Sequence, residues 1–206
     1  MPSNIMSAYS ARMLVEYAVA CGVDRQKLFR VSCVPATVLM SDDRWLSYTD
    51  WCALLTLVRE ATGISAFDAG YRAIMHQGKR SKQIELLARL PFLALQRHLN
   101  HIVRSYINKN IISHISAYPV NIEVQFSPLD IAYYSQDLCD YNRGFCTAIM
   151  HLRLGERALH FKELSCVCKG DLSCTYVMPV MFGAVDKDKS LVDITVEEIN
   201  KAFKEI

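Results

Sequence analysis

No hydrophobic run in the 206-residue sequence approaches the length of about 18 residues that a membrane-spanning helix requires. The opening segment, MPSNIMSAYS, also lacks the basic start and the apolar core of a secretion signal. A chain with eight cysteines and no such signal is expected in a reducing compartment. These absences predict a cytoplasmic protein that makes no membrane contact.

The sequence also lacks a surplus of either charge, because 23 Lys and Arg residues face 21 Asp and Glu residues and the formal net charge is +2. Domains that bind nucleic acid usually carry a strong basic surplus on one face, so no direct contact with nucleic acid is expected. The length of 206 residues suits one domain with a substantial core.

Catalytic signatures are missing as well. The sequence contains no G-x-G-x-x-G or P-loop motif, no H-E-x-x-H and no serine elbow. An enzyme needs a positioned acid, base or nucleophile, and no group of residues here has a recognisable spacing for that role. The sequence therefore predicts a protein that is not an enzyme.

Residues 1–110 have mainly helical periodicity, with Gly22 and Gly63 expected to end two of the helices. Pro91 interrupts the helical stretch 82–107 and predicts a kink or break there. Beyond Pro91, apolar side chains form one stripe, which is expected to be core or a dimer seam rather than a ligand groove. The stripe consists of Leu95, Leu99, Ile102, Val103 and Tyr106.

The periodicity changes after residue 110. Residues 111–118 and 120–126 have the pattern of strands, and the second alternates strictly between apolar and polar side chains. Helical spacing returns over 135–154, and 157–180 is typical of a β-hairpin. The sequence therefore predicts an α+β fold in which a multi-helix N-terminal part packs on a C-terminal antiparallel sheet of about four strands.

We expect a single sensor domain over residues 1–206. Its parts are a mainly helical region over 1–110, a sheet with one helix over 111–185, and a C-terminal helix over 186–206. The last helix has an apolar side and is expected either to cap the sheet or to signal to a partner.

The cysteines gather in the predicted hairpin, where Glu163-x2-Cys166-x-Cys168-x5-Cys174 surrounds a Lys-Gly-Asp turn. A loop with an odd number of residues would place Cys168 opposite Cys174, with Cys166 diagonal on the same face. Three alternatives are open: buried reduced thiols, a disulfide or a metal site. Zinc prefers a tetrahedron of thiolate, imidazole or carboxylate ligands, and Cys139, Glu163, Cys166 and Cys174 could supply one.

Two motifs also suggest a family. The sequence resembles the 4-vinyl reductase-like sensor domain, which has the ligand-binding fold of nitric-oxide signalling and Golgi transport proteins. The resemblance rests on Arg143-Gly144 after Cys139, and on Glu163-x2-Cys166-x3-Gly170-Asp171-x2-Cys174-x-Tyr176 further along the chain. The first third is also weakly similar to the arabinose-binding-like domain of AraC-type regulators.

The resemblance to the 4-vinyl reductase-like domain implies an input module for transcription regulators, kinases or cyclases, in cis or in trans. It also implies a small hydrophobic or aromatic ligand, and structural zinc on Cys139, Glu163, Cys166 and Cys174. The family includes an accessory protein of a vinyl reductase, which is the one enzymatic association that the resemblance offers.

We therefore expect a cytoplasmic sensory domain for a small, largely apolar molecule, which signals through a homodimer or an output partner. A ligand between the long helix and the sheet would shift the population between two packings. Phe145 and Phe161 are the expected pocket residues, and His98 is a possible polar anchor.

Two alternatives stay open: a haem-based gas sensor, and a non-catalytic dimeric scaffold of the same fold. His98 and His101 lie on a helix with an apolar stripe, and a lone histidine in that setting is the usual axial ligand of gas-sensing haem domains. The Tyr-x-Ser-x-Arg step that clamps the haem propionates in such domains is absent, since Arg104-Ser105-Tyr106 lacks that spacing. Haem is therefore not the expected cofactor.

Overall fold

A computed structural model gives the fold of the chain. It describes residues 4–32, 34–39, 41, 44–77, 81–118, 121–155, 158–179, 195, 197 and 200–201. Most of the predicted C-terminal helix over 186–206 lies outside these residues. None of the helices that the structure describes has the length and hydropathy of a membrane span.

Helices dominate the first half of the chain and strands the second. The helices are α1 (Ala8–Ala20), α2 (Arg25–Ser32), α3 (Ala36–Leu39), α4 (Tyr48–Thr62), α5 (Ala66–Gln77), α6 (Lys82–Arg89), α7 (Phe92–Tyr106) and α8 (Gln136–Leu154). The strands are β1 (Asn4–Ser7), β2 (Trp45–Ser47), β3 (Ile111–Tyr118), β4 (Asn121–Pro128), β5 (Lys162–Ser165) and β6 (Cys174–Pro179).

The main sheet has four antiparallel strands in the order β3-β4-β6-β5, and β1 pairs with β2 in a separate two-stranded sheet. The predicted α+β fold, with helices ahead of a C-terminal antiparallel sheet of four strands, is confirmed. In the middle of this sheet Val124 pairs with Ile115 on β3 and with Tyr176 on β6. Alternate side chains of β4 are buried, which is the pattern of a strand with one face toward the core.

Local sequence signals set the helix boundaries. Ser7 and Ser47 cap α1 and α4, since each hydroxyl oxygen accepts a backbone N–H of the first turn. Gly63 ends α4 with a φ of 69°, a conformation that favours glycine. Pro91 separates α6 from α7, because proline has no N–H to donate inside a helix, and the predicted break is confirmed.

The helices α5 and α8 pack against each other at two glycines. A Cβ atom on Gly144 would overlap the carbonyl oxygen of Phe67, and a Cβ atom on Gly70 would overlap that of Tyr141. The two backbones therefore approach each other more closely than any larger residue would allow.

The helix α7 contacts both the main sheet and Asn200, in the described part of the C-terminal segment. It packs on β3, where Asn100 Oδ1 accepts the backbone N–H of Ser113 at 3.1 Å. From α7, the hydroxyl of Tyr106 and Nε2 of His101 both donate to Asn200 Oδ1, at 2.6 and 2.9 Å. The described part of the C-terminal segment is therefore connected to α7 by two hydrogen bonds.

Candidate functional site

Three buried thiols meet where α8 crosses the hairpin. Cys139 comes from the first turn of α8, Cys166 follows β5, and Cys174 begins β6. Sγ of Cys139 lies 3.3 Å from that of Cys166 and 3.1 Å from that of Cys174, and the last two are 3.8 Å apart. These distances exceed a disulfide bond of about 2.05 Å, so the thiols are reduced.

The connection between β5 and β6 brings Cys166 and Cys174 together. A short 3-10 turn over Val167–Lys169 follows β5, and Gly170 ends it with a φ of 97°. The carboxylate of Asp171 accepts the backbone N–H of Cys166 at 2.7 Å and fixes the start of this turn. The predicted hairpin is confirmed. The strand pairing of Cys168 with Cys174 is wrong, because the exposed Cys168 lies in the turn.

The hydrogen bonds among the three thiols, together with burial, give them different pKa values. A hydrogen bond from Cys139 is the main cause that lowers the pKa of Cys174 to about 6, and the backbone N–H of Val167 also donates to its sulfur at 3.4 Å. The same hydrogen bond, together with burial, raises the pKa of Cys139. Burial raises the pKa of Cys166 to about 11. At neutral pH the cluster therefore favours one thiolate, on Cys174, and two thiols that can give up protons to a metal.

Two further side chains lie beside the three sulfurs. Sγ of Cys168 is 4.0 Å from that of Cys139. Glu163 forms an ion pair with Lys169, and among the described residues nothing donates to its buried Oε2. Within the described residues, the atoms that gather within 4.8 Å of one another are the three thiols, and the carboxylate of Glu163 is not among them.

A cavity of about 40 Å³ lies between α7, strands β3 and β4, and α8. Its wall consists of apolar side chains and one thiol. The lining residues are Leu87, Leu95, Leu99, Ile102, Val103, Ile107, Ile115, Val124, Phe126, Phe145, Cys146, Ile149 and Met150. The apolar stripe of α7 packs in the core, as one of the two expectations had it. All of its members except Tyr106 also line one side of this cavity, which was not expected.

The three expected pocket residues fall in different places. Phe145 lines the cavity. Phe161 is buried outside its wall, and its backbone N–H donates to Thr147 Oγ1 at 3.4 Å. His98 is buried on α7 but is not among the lining residues. Cys146 lines the cavity but is not among the pocket residues that the sequence predicts, although it stands three and four residues before the lining residues Ile149 and Met150. Burial raises the pKa of Cys146 to about 12, so it remains a thiol.

Comparison with known proteins identifies the architecture. Neither a protein-family model nor a curated protein matches the sequence. An H-NOX protein from S. oneidensis, solved as a triple mutant in the Fe(II) ligation state, matches with a TM-score of 0.64 and 13% identity over 90% of this chain and 99% of its own. The chain has the H-NOX fold.

Two more H-NOX structures have a similar fold. The S. oneidensis protein in the Fe(II)NO ligation state has a TM-score of 0.58 and 12% identity, over 85% of this chain and 99% of its own. The unliganded Fe(II) H-NOX protein from K. algicida has a TM-score of 0.51 and 9% identity, over 88% of this chain and 100% of its own.

The resemblance to the 4-vinyl reductase-like domain is therefore wrong, because the structural neighbours are H-NOX domains, which have a different fold. The motifs that suggested it describe cysteine spacing around one turn. Such spacing reflects local turn chemistry and contains no information on how the described helices pack against the sheet. The H-NOX match covers 90% of the chain and so includes most of its helical N-terminal half. It therefore replaces the weak resemblance of the first third to AraC-type regulators.

Proposed function

We propose that this chain is a sensory domain that binds a small ligand in the interior of its H-NOX fold and does not catalyse a reaction. The observation that supports this proposal is the cavity between α7, the sheet and α8, in a fold shared over nearly the whole chain with H-NOX proteins. A ligand there would favour one packing of α7 against the sheet and so shift the population of conformations.

The comparisons favour gas sensing as the kind of signal. The neighbours are H-NOX, or haem-NO/oxygen binding, proteins solved in Fe(II) and Fe(II)NO ligation states. They support the haem-based gas sensor, which the sequence offered as an alternative, better than the main expectation of a sensor for a generic apolar molecule.

The residues present can be tested against a haem. Haem needs an axial ligand, partners for two propionates and a pocket typical of cofactors, of about 300–1,000 Å³. The cavity measures about 40 Å³, its wall includes no histidine or charged side chain, and its one thiol has a raised pKa. The residues that line the cavity do not fit a haem in the observed packing. The proposed shift between conformations therefore involves only α7, α8 and the sheet.

One experiment tests the proposed function. The purified chain is titrated with hemin and, separately, with small apolar molecules, and amide hydrogen exchange is followed along α7. We expect at least one ligand to slow exchange in α7, because ligand contacts would stabilise one packing. A Soret band that saturates at one haem per chain would identify the haem-based sensor. If exchange in α7 does not respond to hemin or to any apolar molecule, the sensory proposal fails.

We also propose that Cys139, Cys166 and Cys174 hold a structural zinc ion. In a tetrahedral site with Zn–S bonds of about 2.3 Å, neighbouring sulfurs lie roughly 3.8 Å apart. The observed separations of 3.1 to 3.8 Å need only small shifts to reach this geometry. Glu163, the ligand suggested by the sequence, and Cys168 are the two candidates for the fourth position. Bound zinc would hold α8 against the hairpin.

The domain organisation and the partners are proposals as well. We propose that residues 1–206 act as one domain in the cytoplasm, as a homodimer or with a kinase, cyclase or other regulator as output. The apolar stripe of α7 is not available as a dimer seam, because Leu95, Ile102 and Val103 are buried. A dimer would therefore use another surface, and sedimentation of the full chain tests for it.

A further inference from the structure

We infer that the cavity between α7, strands β3 and β4, and α8 takes up an apolar ligand of one to three heavy atoms directly, without a porphyrin. This inference rests on the proposed sensory function and specifies its ligand class: xenon-sized atoms and diatomic or triatomic apolar gases. Size, surface chemistry and the position of α7 each support it.

The size of the cavity limits its ligand. A single water molecule needs roughly 10–15 Å³, and a cavity that binds benzene measures roughly 150 Å³. The observed cavity of about 40 Å³ lies between these limits. It therefore has room for a molecule of a few heavy atoms and none for an aromatic ring.

The surface chemistry of the cavity selects an apolar ligand. Carbon and sulfur atoms make up the wall, with Leu99 and Val103 from α7, Val124 from β4, and Phe145, Cys146 and Met150 from α8. A water molecule would find no hydrogen-bond partners among these side chains, and cavities of this kind stay dry. An apolar gas loses no hydrogen bond on entry and gains dispersion contacts with several side chains at once.

The helix α7 links the cavity to the C-terminal segment. Leu99 and Val103 contact the cavity, while His101 and Tyr106 of the same helix donate hydrogen bonds to Asn200. A shift of α7 on ligand entry would therefore change the geometry of both hydrogen bonds. The inferred response is a change in the C-terminal contact that requires no iron chemistry.

Xenon is a suitable probe, because it is apolar, monatomic and small. The full chain is titrated with xenon and followed by NMR of its methyl groups. We expect saturable shifts confined to methyl groups of the cavity wall, those of Val103, Ile115 and Val124 among them. Val124→Ile adds one methyl group to the wall and should weaken xenon binding by at least about tenfold, because no space is left. Ile149→Val enlarges the cavity and should strengthen binding.

Ile122→Val is the matched control, since it changes one methyl group of the same strand at a buried position outside the cavity wall. It should leave xenon binding unchanged. The inference is overturned if the folded chain shows no saturable shifts, or if Ile122→Val weakens binding as much as Val124→Ile does. Stoichiometric haem binding with a Soret band would also overturn it and would leave the proposed sensory function standing. If xenon binds but hydrogen exchange in α7 responds neither to xenon nor to hemin or any other apolar molecule, the inferred site stands and the proposed function fails.

Discussion

Two buried tyrosines differ in a single hydrogen bond. Tyr176 donates from its hydroxyl to the carbonyl oxygen of Cys139 at 2.9 Å, which connects β6 to α8. Tyr141 is equally buried, packs edge-on against Trp51, and its hydroxyl has no hydrogen-bond partner among the described residues. A buried hydroxyl without a partner costs about 1–3 kcal/mol, whereas a satisfied one contributes roughly 1 kcal/mol.

Removing each hydroxyl should therefore have opposite effects. Tyr141→Phe should leave the free energy of unfolding unchanged or raise it, and Tyr176→Phe should lower it by about 1 kcal/mol. Urea denaturation of the two variants and of the unchanged chain measures both values. An equal loss of stability in the two variants would show that Tyr141 has a partner in solution.

The cysteines differ in their expected contribution to zinc binding. Cys139→Ser and Cys174→Ser should each reduce bound zinc from one equivalent to nearly none, because each removes one of the three close sulfurs. Cys21→Ser is the control, since Cys21 is exposed and far from the cluster in sequence. Elemental analysis by mass spectrometry of protein produced with added zinc gives the stoichiometry.

Two variants can identify the fourth zinc ligand. Cys168→Ser should lower zinc affinity if this thiol moves in from its distance of 4.0 Å to Cys139, and Glu163→Gln should do so if the carboxylate leaves Lys169 for the metal. Loss of affinity in one variant and not in the other identifies the ligand. If the unsubstituted protein contains no zinc and all of its cysteines react with a thiol reagent, the proposal of a zinc site is wrong.

The close contact of α5 with α8 decides whether replacing Gly144 by alanine stabilises or destabilises the chain. Helix propensity alone predicts that Gly144→Ala stabilises the chain by about 1 kcal/mol. The added Cβ would overlap the backbone of Phe67, which cannot rotate away as a side chain could. We therefore expect Gly144→Ala to lower the free energy of unfolding by about 1–3 kcal/mol or more.

Thermal and urea denaturation measure this change. Ala53→Gly, at an exposed position within α4, shows the effect of propensity alone and should cost about 1 kcal/mol. Increased stability of Gly144→Ala would mean that α5 and α8 can separate at little cost, contrary to the packing observed.

The boundaries of single elements follow from short-range signals. Pro91 divides α6 from α7, and alternation along β4 identifies its buried face, as both sequence patterns predict. The connection from β5 to β6 departs from a simple hairpin, because Val167–Lys169 forms a 3-10 turn that Asp171 fixes through the N–H of Cys166. A contact between a side chain and a backbone group five residues away is not visible in the alternation of apolar residues.

The H-NOX architecture extends over 85–90% of the chain at 9–13% identity. At such identity, the fold is preserved by the pattern of buried positions more than by particular side chains. The likeness therefore establishes the fold and leaves the chemistry of the interior to the residues of each chain. For that reason the ligand of this domain has to be argued from its own cavity residues.

The sequence by itself determined the class of the fold, the order of the main helices and of the four strands of the main sheet, and the residue types that could bind a metal, because helix and strand periods depend on near neighbours. It did not reveal the short strands β1 and β2, which lie in the part predicted to be mainly helical. Only the tertiary structure brought Cys139 of α8 onto Cys166 and Cys174, and placed Phe145 and Cys146 in the cavity while it left His98 outside the wall. These outcomes depend on how α7 and α8 are rotated and set against the sheet. That arrangement results from packing between residues far apart in the sequence, which no local period specifies.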